Sequence, residues 1–466
     1  MMSENRNLKL LAQAPIGKAL MKLGIPTMIG MMVSALYNVV DAYFVGTLGT
    51  SQQAAVSAVF PVSLLMLGIG LLFGCGAGSY ISRLLGKGDR KEADRCASTA
   101  LALAVGTGLV LVILMLAALN PLLHLLGCTE TMMPYARAYA VPFIIGLVIN
   151  VFNATMSNIA TAEGAPVYSM RSMLIGGIAN IILDPVCISI LGMGVYGAAF
   201  ATLIARLLSL GSYLLFLFQK KSSLHFSFRF IRPDRKLLFE IAQIGVPACL
   251  YQALLSAALT ITNNLAAPYG DSAVAAAGIV SRITTLGIMT IMGFCKGYQT
   301  LVGFNYGAGN YKRVREATHT ALRWTTIFCI VCCAVLLLFR TPLILAFSPD
   351  DPQVLSIGSR ILALTAITFL TLGYQIVYST KFMGMGCGLE GGLISMGRQG
   401  IFFIPAIYTL TAVWGLNGLI LSQPVADILS MLLVVVLARK NEKAESRLID
   451  EQMAGDVNIV KKPVEI

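Results

Sequence analysis

Twelve apolar stretches, each long enough to cross a lipid bilayer, account for most of this chain. A helix needs about 20 apolar residues to span the hydrocarbon core, and its backbone polar groups must be satisfied within the segment. Of the 466 residues, 57% are hydrophobic and 12% are charged, about half the charged share of a soluble protein. The sequence therefore predicts an all-α, multi-pass membrane protein. The predicted spans lie near residues 24–46, 54–82, 97–119, 135–157, 167–190, 196–218, 240–266, 273–303, 317–339, 356–382, 391–412 and 417–438.

The loops between the spans differ in charge. Connections after spans 2, 6 and 8 are rich in Lys and Arg, whereas the opposite connections are nearly free of them. Cytoplasmic loops are enriched in these residues, so we expect both termini in the cytoplasm and the chain in the plasma membrane. The net charge of +12 then requires no nucleic-acid partner. The basic connections contain Arg83, Lys87, Arg90, Lys91, Arg95, Lys220, Lys221, Arg229, Arg232, Arg235, Lys236, Lys312, Arg313 and Arg315, and the opposite ones contain Glu130, Asp271, Asp350 and Asp351.

The chain also contains an internal repeat. After a shift of 221 residues, 24–26 (GIP) aligns with 245–247 (GVP), and 99–101 (TAL) aligns with 320–322 (TAL). The register persists through loops, which indicates two six-helix lobes of the same orientation. Such lobes are typical of transporters with a substrate site between them, although a duplicated packing scaffold is an alternative. The predicted parts are a first lobe, 1–218, a basic linker, 219–237, a second lobe, 238–440, and a polar, partly disordered tail, 441–466.

Ionisable side chains inside the first lobe mark a candidate functional site. Asp41 follows Tyr37 by one helical turn in span 1, and Asp184 follows Asn180 by one turn in span 5. Pro185 removes a backbone hydrogen bond and frees a carbonyl about one turn earlier. Buried charges in a bilayer are costly, and these oxygen atoms suit Na⁺, while carboxylates alone suit H⁺. The alternative is that both acids are structural and are satisfied by neighbouring amides or hydroxyls.

The second lobe carries a different polar set. Lys296 and Gln299 lie in span 8, Arg398 and Gln399 in span 11, and Asp427 in span 12. Intramembrane charges usually pair, so we expect internal ion pairs among these residues.

Other features have structural interpretations. Glu163, at the end of span 4, is interpreted as a solvated or helix-capping acid. Met31 and Met173 are flexible thioethers that suit a cavity accepting many shapes, although methionines are more often core residues. Cys329 and Cys332 form a CxxC within an apolar helix and are interpreted as packing residues.

Several enzymatic motifs are missing from the sequence. It has no GxxxxGK[ST] nucleotide-binding loop, no HExxH and no GxSxG. ATP-driven pumping by this chain alone and hydrolase activity therefore have no support. We expect neither enzymatic activity nor a cofactor.

Several segments together resemble the multidrug and toxic compound extrusion (MATE) family, and its bacterial MepA-like members most closely. They are the GIP-opened first span with Tyr37 and Asp41, the turn RLLGKGDRKEADR, and NIILDP followed by GMGVYGAAFAT. The segment VWGLNGLILSQPVADIL belongs to the corresponding part of the second half. The resemblance covers about residues 10–440.

The resemblance implies a V-shaped pair of lobes that exports cationic or amphipathic compounds, including antibiotics, in exchange for Na⁺ or H⁺. Its partners would be small-molecule drugs and membrane lipids, and a monomer is expected. The loop TAEGAP departs from many relatives, which carry an Arg before Ala-Glu-Gly. The family's coupling site matches Asp41, Asn180, Asp184 and Thr202, which would be metal ligands only with Na⁺, and polar cavity positions match Tyr37 and Asn158.

Three alternatives to this function remain open from the sequence. One is a carrier of the major facilitator type, whose loop between spans 2 and 3 is similar to GKGDRKEADR. Another is a flippase for a lipid-linked precursor, which would need a more cationic cavity than the acidic first lobe offers. The last is a scaffold or channel that does not transport.

Overall fold

The computed structural model describes residues 2–46, 48–348 and 351–453, and the regular elements in those ranges are helices. Twelve of the described helical segments are long and apolar enough to cross a membrane, which confirms the predicted number. The helices of the first half are α1 (Met2–Gln13), α2 (Ile16–Gly46), α3 (Thr50–Lys87), α4 (Arg90–Ala117), α5 (Leu119–Leu125), α6 (Met133–Ala162), α7 (Pro166–Pro185) and α8 (Gly194–Phe218). Those of the second half are α9 (Arg235–Ala266), α10 (Asp271–Gly307), α11 (Tyr311–Leu338), α12 (Arg340–Leu345), α13 (Pro352–Met385), α14 (Gly388–Met396), α15 (Phe403–Trp414) and α16 (Leu416–Met453).

The helices form two six-helix lobes, as the repeat predicts. In the first lobe α6 packs against α3, α4 and α8, while α7 packs between α2 and α8. In the second lobe α13 packs against α10, α11 and α16, and α15 packs against α16. A π-helical turn follows α7 at Val186–Ile190, and another joins α14 to the segment before α15 at Gly397–Ile401.

The two lobes meet through glycines near one end of the bundle. This end carries the Lys- and Arg-rich loops and is called the basic end below. A Cβ added to Gly245 on α9 would lie 1.9 Å from the Leu72 carbonyl oxygen on α3, and one added to Gly307 on α10 would lie 2.1 Å from that of Arg83. Glycine is therefore the residue that permits these backbones to touch.

Among the described residues, the glycine contacts between the lobes lie from the middle of the helices toward the basic end. On α2, Leu36, Val39 and Tyr43 are exposed, and so are Phe60 and Leu65 on α3. The arrangement is V-shaped, with its vertex toward the basic end and its opening toward the opposite end.

The N-terminal helix α1 packs across the vertex, at the basic end. Leu11 is buried, and its carbonyl accepts a hydrogen bond from the Asn305 amide of the second lobe at 3.2 Å. On the other side, Gly164 of the first lobe lies against Leu11 and Asn7. The helix α1 therefore contacts both lobes.

The C-terminal tail differs from the prediction. Residues 441–453 continue α16 as an ordered helix because they pack on the second lobe. Glu445 forms a buried salt bridge with Lys381 at 2.7 Å, and Glu442 accepts a hydrogen bond from Tyr378 at 2.5 Å. Residues 454–466 of the predicted tail lie outside the described residues, and so does Asp350 of the loop predicted to be opposite the basic connections.

Candidate cation site in the first lobe

Two helices that run in the same direction, α2 and α7, bring the candidate site together. They approach closely because Gly30 and Gly177 have no side chains. A Cβ on Gly30 would lie 2.8 Å from the Met173 sulfur, and one on Gly177 would lie 2.7 Å from Val33 and 3.6 Å from Tyr37. Tyr37 thus lies beside Gly177, at the start of the last two turns of α7.

The next turns of these helices carry the two carboxylates. Asp41 lies one turn beyond Tyr37, and Asp184 lies about two turns beyond Gly177. The two acids are close enough to interact electrostatically. Asp184 is fully buried, so its charge has little access to water. The structure therefore brings together the two acids that the sequence placed on different helices.

Asn180 links Asp184 to the neighbouring helix α8. Its side-chain amide donates to Asp184 Oδ1 at 3.1 Å and, at the limit of a hydrogen bond, to Thr202 Oγ1 at 3.5 Å. The Thr202 hydroxyl in turn donates to the Ala198 carbonyl at 3.0 Å. Thr202, which only the family resemblance suggested, is thus beside the other members of the set.

Three oxygen atoms in this set are buried without a hydrogen-bond partner among the described residues. They are Asp41 Oδ1, Asn180 Oδ1 and Asp184 Oδ2. Buried polar atoms are normally satisfied, so these acceptor oxygens could be paired by a cation, a proton or a water molecule. Oxygen ligands fit a hard cation, and a protonated carboxyl would donate to one of the other oxygens.

A multivalent metal site has less support. Within the ranges that the structure describes, no group of three or more His, Cys, Asp or Glu side chains converges. Two carboxylates, an amide oxygen and a hydroxyl suit a monovalent ion or a proton better than a transition metal, which prefers nitrogen and sulfur ligands.

Arg206 on α8 is a residue of this site that the sequence did not assign to it. Its guanidinium lies over the Phe143 ring at 4.9 Å and interacts electrostatically with Asp41, Tyr37 and Tyr139. The repeat, which aligns Arg206 with Asp427, was the only sequence signal for it. A fixed positive charge near Asp41 favours the ionised carboxylate and competes with an incoming cation.

The predicted cavity residues do not all lie at this site. Tyr37 and Met173 line the contact between α2 and α7, and Met31 lies on α2 two residues before Val33. Asn158 lies only four residues before the basic end of α6, whereas Tyr37 is nine residues from the opposite end of α2. Asn158 is therefore at a different depth, in a pocket between the lobes.

The ion-pair prediction for the second lobe is right for one pair and wrong for Lys296. Arg398 Nε donates to Asp427 Oδ1 at 2.8 Å, and Gln423 donates to the same oxygen at 2.9 Å. Both charged groups are mostly buried. Lys296 forms no salt bridge with any described residue.

Glu163 is neither solvated nor a simple cap. It is fully buried in the loop between α6 and α7. Its Oε2 accepts hydrogen bonds from the Ser223 amide at 2.7 Å and from the Ser222 hydroxyl at 2.8 Å. Burial raises the pKa of Glu163 to about 7, and these donors oppose the rise. The residue fastens the start of the interlobe linker to the first lobe.

Known proteins are similar to this chain in sequence and in structure over both repeats. The MatE family model matches residues 26–186 and 247–409, most of both repeats. The multidrug export protein MepA of Staphylococcus saprophyticus is 28% identical over 440 residues, covering 93% of this chain and 97% of that protein. A crystal structure of MATE in complex with MaL6 has a TM-score of 0.89 and 28% identity, covering 95% of this chain and 99% of that one. An outward-facing multidrug resistance MATE family transporter gives the same values. This protein belongs to the MatE family.

Proposed function

We propose that this protein is a secondary active multidrug exporter that exchanges cationic or amphipathic small molecules for H⁺ or Na⁺. Family membership and the similarity to MepA, a multidrug export protein, support export of drugs. They also make the chain a transporter rather than an enzyme, and they exclude the major facilitator alternative. The flippase alternative has less support, because the first lobe presents acidic groups.

The proposed orientation places the basic end in the cytoplasm. Loops rich in Lys and Arg favour that side. The N-terminal helix α1 and the last turns of α16 lie at the basic end, so both described ends of the chain would be cytoplasmic. The V then opens to the outside of the plasma membrane, which is the state in which an exporter releases its substrate and takes up a coupling ion.

The observation that carries the coupling proposal is the trio of buried, unpaired oxygens on Asp41, Asn180 and Asp184. In the outward-open state a proton or Na⁺ would bind among them, with Thr202 as a further oxygen ligand for Na⁺. Binding lowers the electrostatic cost of two nearby buried carboxylates. The ion therefore stabilises a first-lobe conformation that the empty site does not favour.

Exchange follows if substrate and ion prefer different conformations of the first lobe. A ligand shifts an equilibrium only by its difference in affinity between the two states. We place Tyr37, Met31, Met173 and Asn158 on the substrate's path, with Tyr37 adjoining the cation site. Neutralisation of Asp41 would weaken the attraction for a cationic drug and release it outward.

The test is ethidium efflux from cells expressing the protein, with the Na⁺ gradient and the pH gradient varied separately. We expect Asp41→Asn and Asp184→Asn to abolish efflux without lowering the amount of folded protein in the membrane. Glu130→Gln, an amide substitution in an exposed loop, is the matched control. Efflux by Asp41→Asn at the rate of the unaltered protein would refute the coupling assignment.

The same assay separates the two ions. Efflux that follows the pH gradient without Na⁺ would identify the aspartates as proton carriers. Efflux that requires Na⁺ would identify Asp41, Asn180, Asp184 and Thr202 as its ligands, and Thr202→Val should then weaken Na⁺ dependence. Absence of efflux under either gradient would contradict multidrug export.

A further inference from the structure

A second polar site lies between the lobes, at the vertex of the V. It is formed by α3 and α6 of the first lobe and α10 of the second. Its centre is Lys296, whose ammonium group neither pairs with a carboxylate nor donates to an acceptor among the described residues. The polar side chains around it are those of Cys75, Ser79, Ser82, Asn158, Thr161, Gln299 and Thr300.

The surrounding helices supply no counter-ion for Lys296. The sequences of α3, α6 and α13 contain no Asp or Glu. The acid of α10 is Asp271, 25 residues away, or about 37 Å along the helix. On α9, Glu240 is paired with Arg83 at 2.9 Å. On α2, Asp41 lies about 20 Å beyond Met28, the residue that faces α10 at Gly293.

The depth of Lys296 makes this arrangement costly. The residue lies about 10 Å from the midpoint of α10, within a hydrocarbon core about 30 Å thick. A charged side chain at such a depth normally pairs with an opposite charge or lines a pathway for a substrate or ion. The polar groups around Lys296 are neutral, and the Gln299 amide and the Thr300 hydroxyl are further potential donors.

The pocket is narrow in this structure, and Lys296 is only partly exposed. About 10 Å³ of free space remains, room for about one water molecule. Hydrogen bonds cross the seam beside it: Thr300 donates to the Thr161 carbonyl at 3.2 Å, and Ser79 donates to the Met383 carbonyl at 2.5 Å. Since both lobes contribute walls, separation of the lobes at the basic end would enlarge the pocket and expose Lys296 to that side.

We propose that Lys296 binds the carboxylate of zwitterionic amphipathic substrates in the state that is open at the basic end. This inference rests on the proposed exporter function and names a substrate class for it. Asn158 and Gln299 provide neutral hydrogen-bonding groups beside the ammonium. When the lobes close at the basic end, the pocket shrinks to the size of one water and expels the carboxylate. The loss of this contact supplies the difference in affinity that alternating access requires.

The test uses two fluorescent rhodamines that differ in one group. One carries a free benzoic acid and is a zwitterion, while the other is its methyl ester and is a cation. The purified protein is reconstituted into liposomes, and transport of each dye is measured under the gradient found to drive ethidium. We expect Lys296→Gln to reduce transport of the acid by roughly 10- to 100-fold, the usual effect of losing a charged hydrogen bond.

Transport of the ester by Lys296→Gln should remain within about twofold of the unaltered protein, because the ester has no charge for Lys296 to bind. Lys296→Arg should restore most of the acid transport, which a purely structural role would not predict. An equal loss of both dyes in Lys296→Gln, or undiminished transport of the acid, would overturn the inference. If the unaltered protein moves the ester but not the acid, Lys296 is not a carboxylate site, yet the exporter function stands. If it moves neither dye nor ethidium, the exporter function itself fails.

Discussion

The contact between Gly297 on α10 and the backbone of α2 holds the lobes together at the basic end, and Gly297→Ala tests this. An added Cβ would lie 2.4 Å from the Leu23 carbonyl carbon and 2.5 Å from the Gly24 amide nitrogen. Both are backbone atoms, so no side chain can turn away. The helices would have to separate by about 1 Å to restore ordinary contact.

The size of the effect follows from the cost of overpacking. Inserting a methyl group into a tight contact typically costs about 1–3 kcal/mol. The strain exists only while the lobes touch at the basic end. Conformations separated there should therefore gain about 5- to 150-fold in relative population. The higher helix propensity of alanine, up to about 1 kcal/mol, acts on both conformations and does not change their ratio.

Hydrogen–deuterium exchange measures this change in population without attaching a probe to the protein. We expect amides near Leu23 on α2 and Ile241 on α9 to exchange faster in Gly297→Ala. Gly278→Ala is the control, because it lies on the same helix and an added Cβ meets no atom within 4 Å. Exchange in Gly297→Ala that matches Gly278→Ala would show that the seam is not held by this contact.

Two further predictions concern buried charges. The folded-state pKa of Glu163, about 7, lies above the ordinary value of 4.5. The folded protein is therefore more stable when the Glu163 carboxyl group is protonated than when it is charged. The contribution of Glu163 to stability should thus be fully present below about pH 4.5 and be lost as pH rises from there to 7, by about 3 kcal/mol in total, and Glu163→Gln should melt with a weaker pH dependence than the unaltered protein. Asp427→Ala leaves Arg398 buried without its carboxylate and should cost about 3–5 kcal/mol in thermal unfolding. Adding Arg398→Leu should recover most of that loss, and failure to do so would indicate that the pair has another role.

The fold could be predicted from the sequence because its signals are local or periodic. Apolar length gave the twelve helices, and the 221-residue register gave two lobes of equal topology. Helix ends were less predictable. The first span begins at Ile16 rather than near residue 24. The helix α2 starts before the apolar stretch, and it packs against α10 and α11. The same holds for α16, where packing rather than hydropathy determines that residues 441–453 are helical.

The candidate site was predictable only in part. One-turn spacing placed Asn180 beside Asp184, and the pairing of α2 with α7 adds Asp41. Thr202 carries no charge and no spacing signal, so only family resemblance could suggest it. Contacts between distant segments have no local signature at all. The Glu163 hydrogen bonds to the linker are of this kind, as is the lack of a salt-bridge partner for Lys296 among the described residues.

Equivalent positions in the two lobes carry opposite charges, and this difference restricts where an ion can bind. The repeat aligns Arg206 of the first lobe with Asp427 of the second. In the second lobe the acid is neutralised by Arg398 at 2.8 Å, and an incoming cation would have to displace a hydrogen-bonded guanidinium. In the first lobe Asp184 makes its hydrogen bond to a neutral amide, and Arg206 interacts with Asp41 only at longer range. A cation or proton can therefore bind in the first lobe without breaking a salt bridge. We expect ion binding to reshape that lobe alone, while the second lobe moves as a rigid partner across the glycine seam.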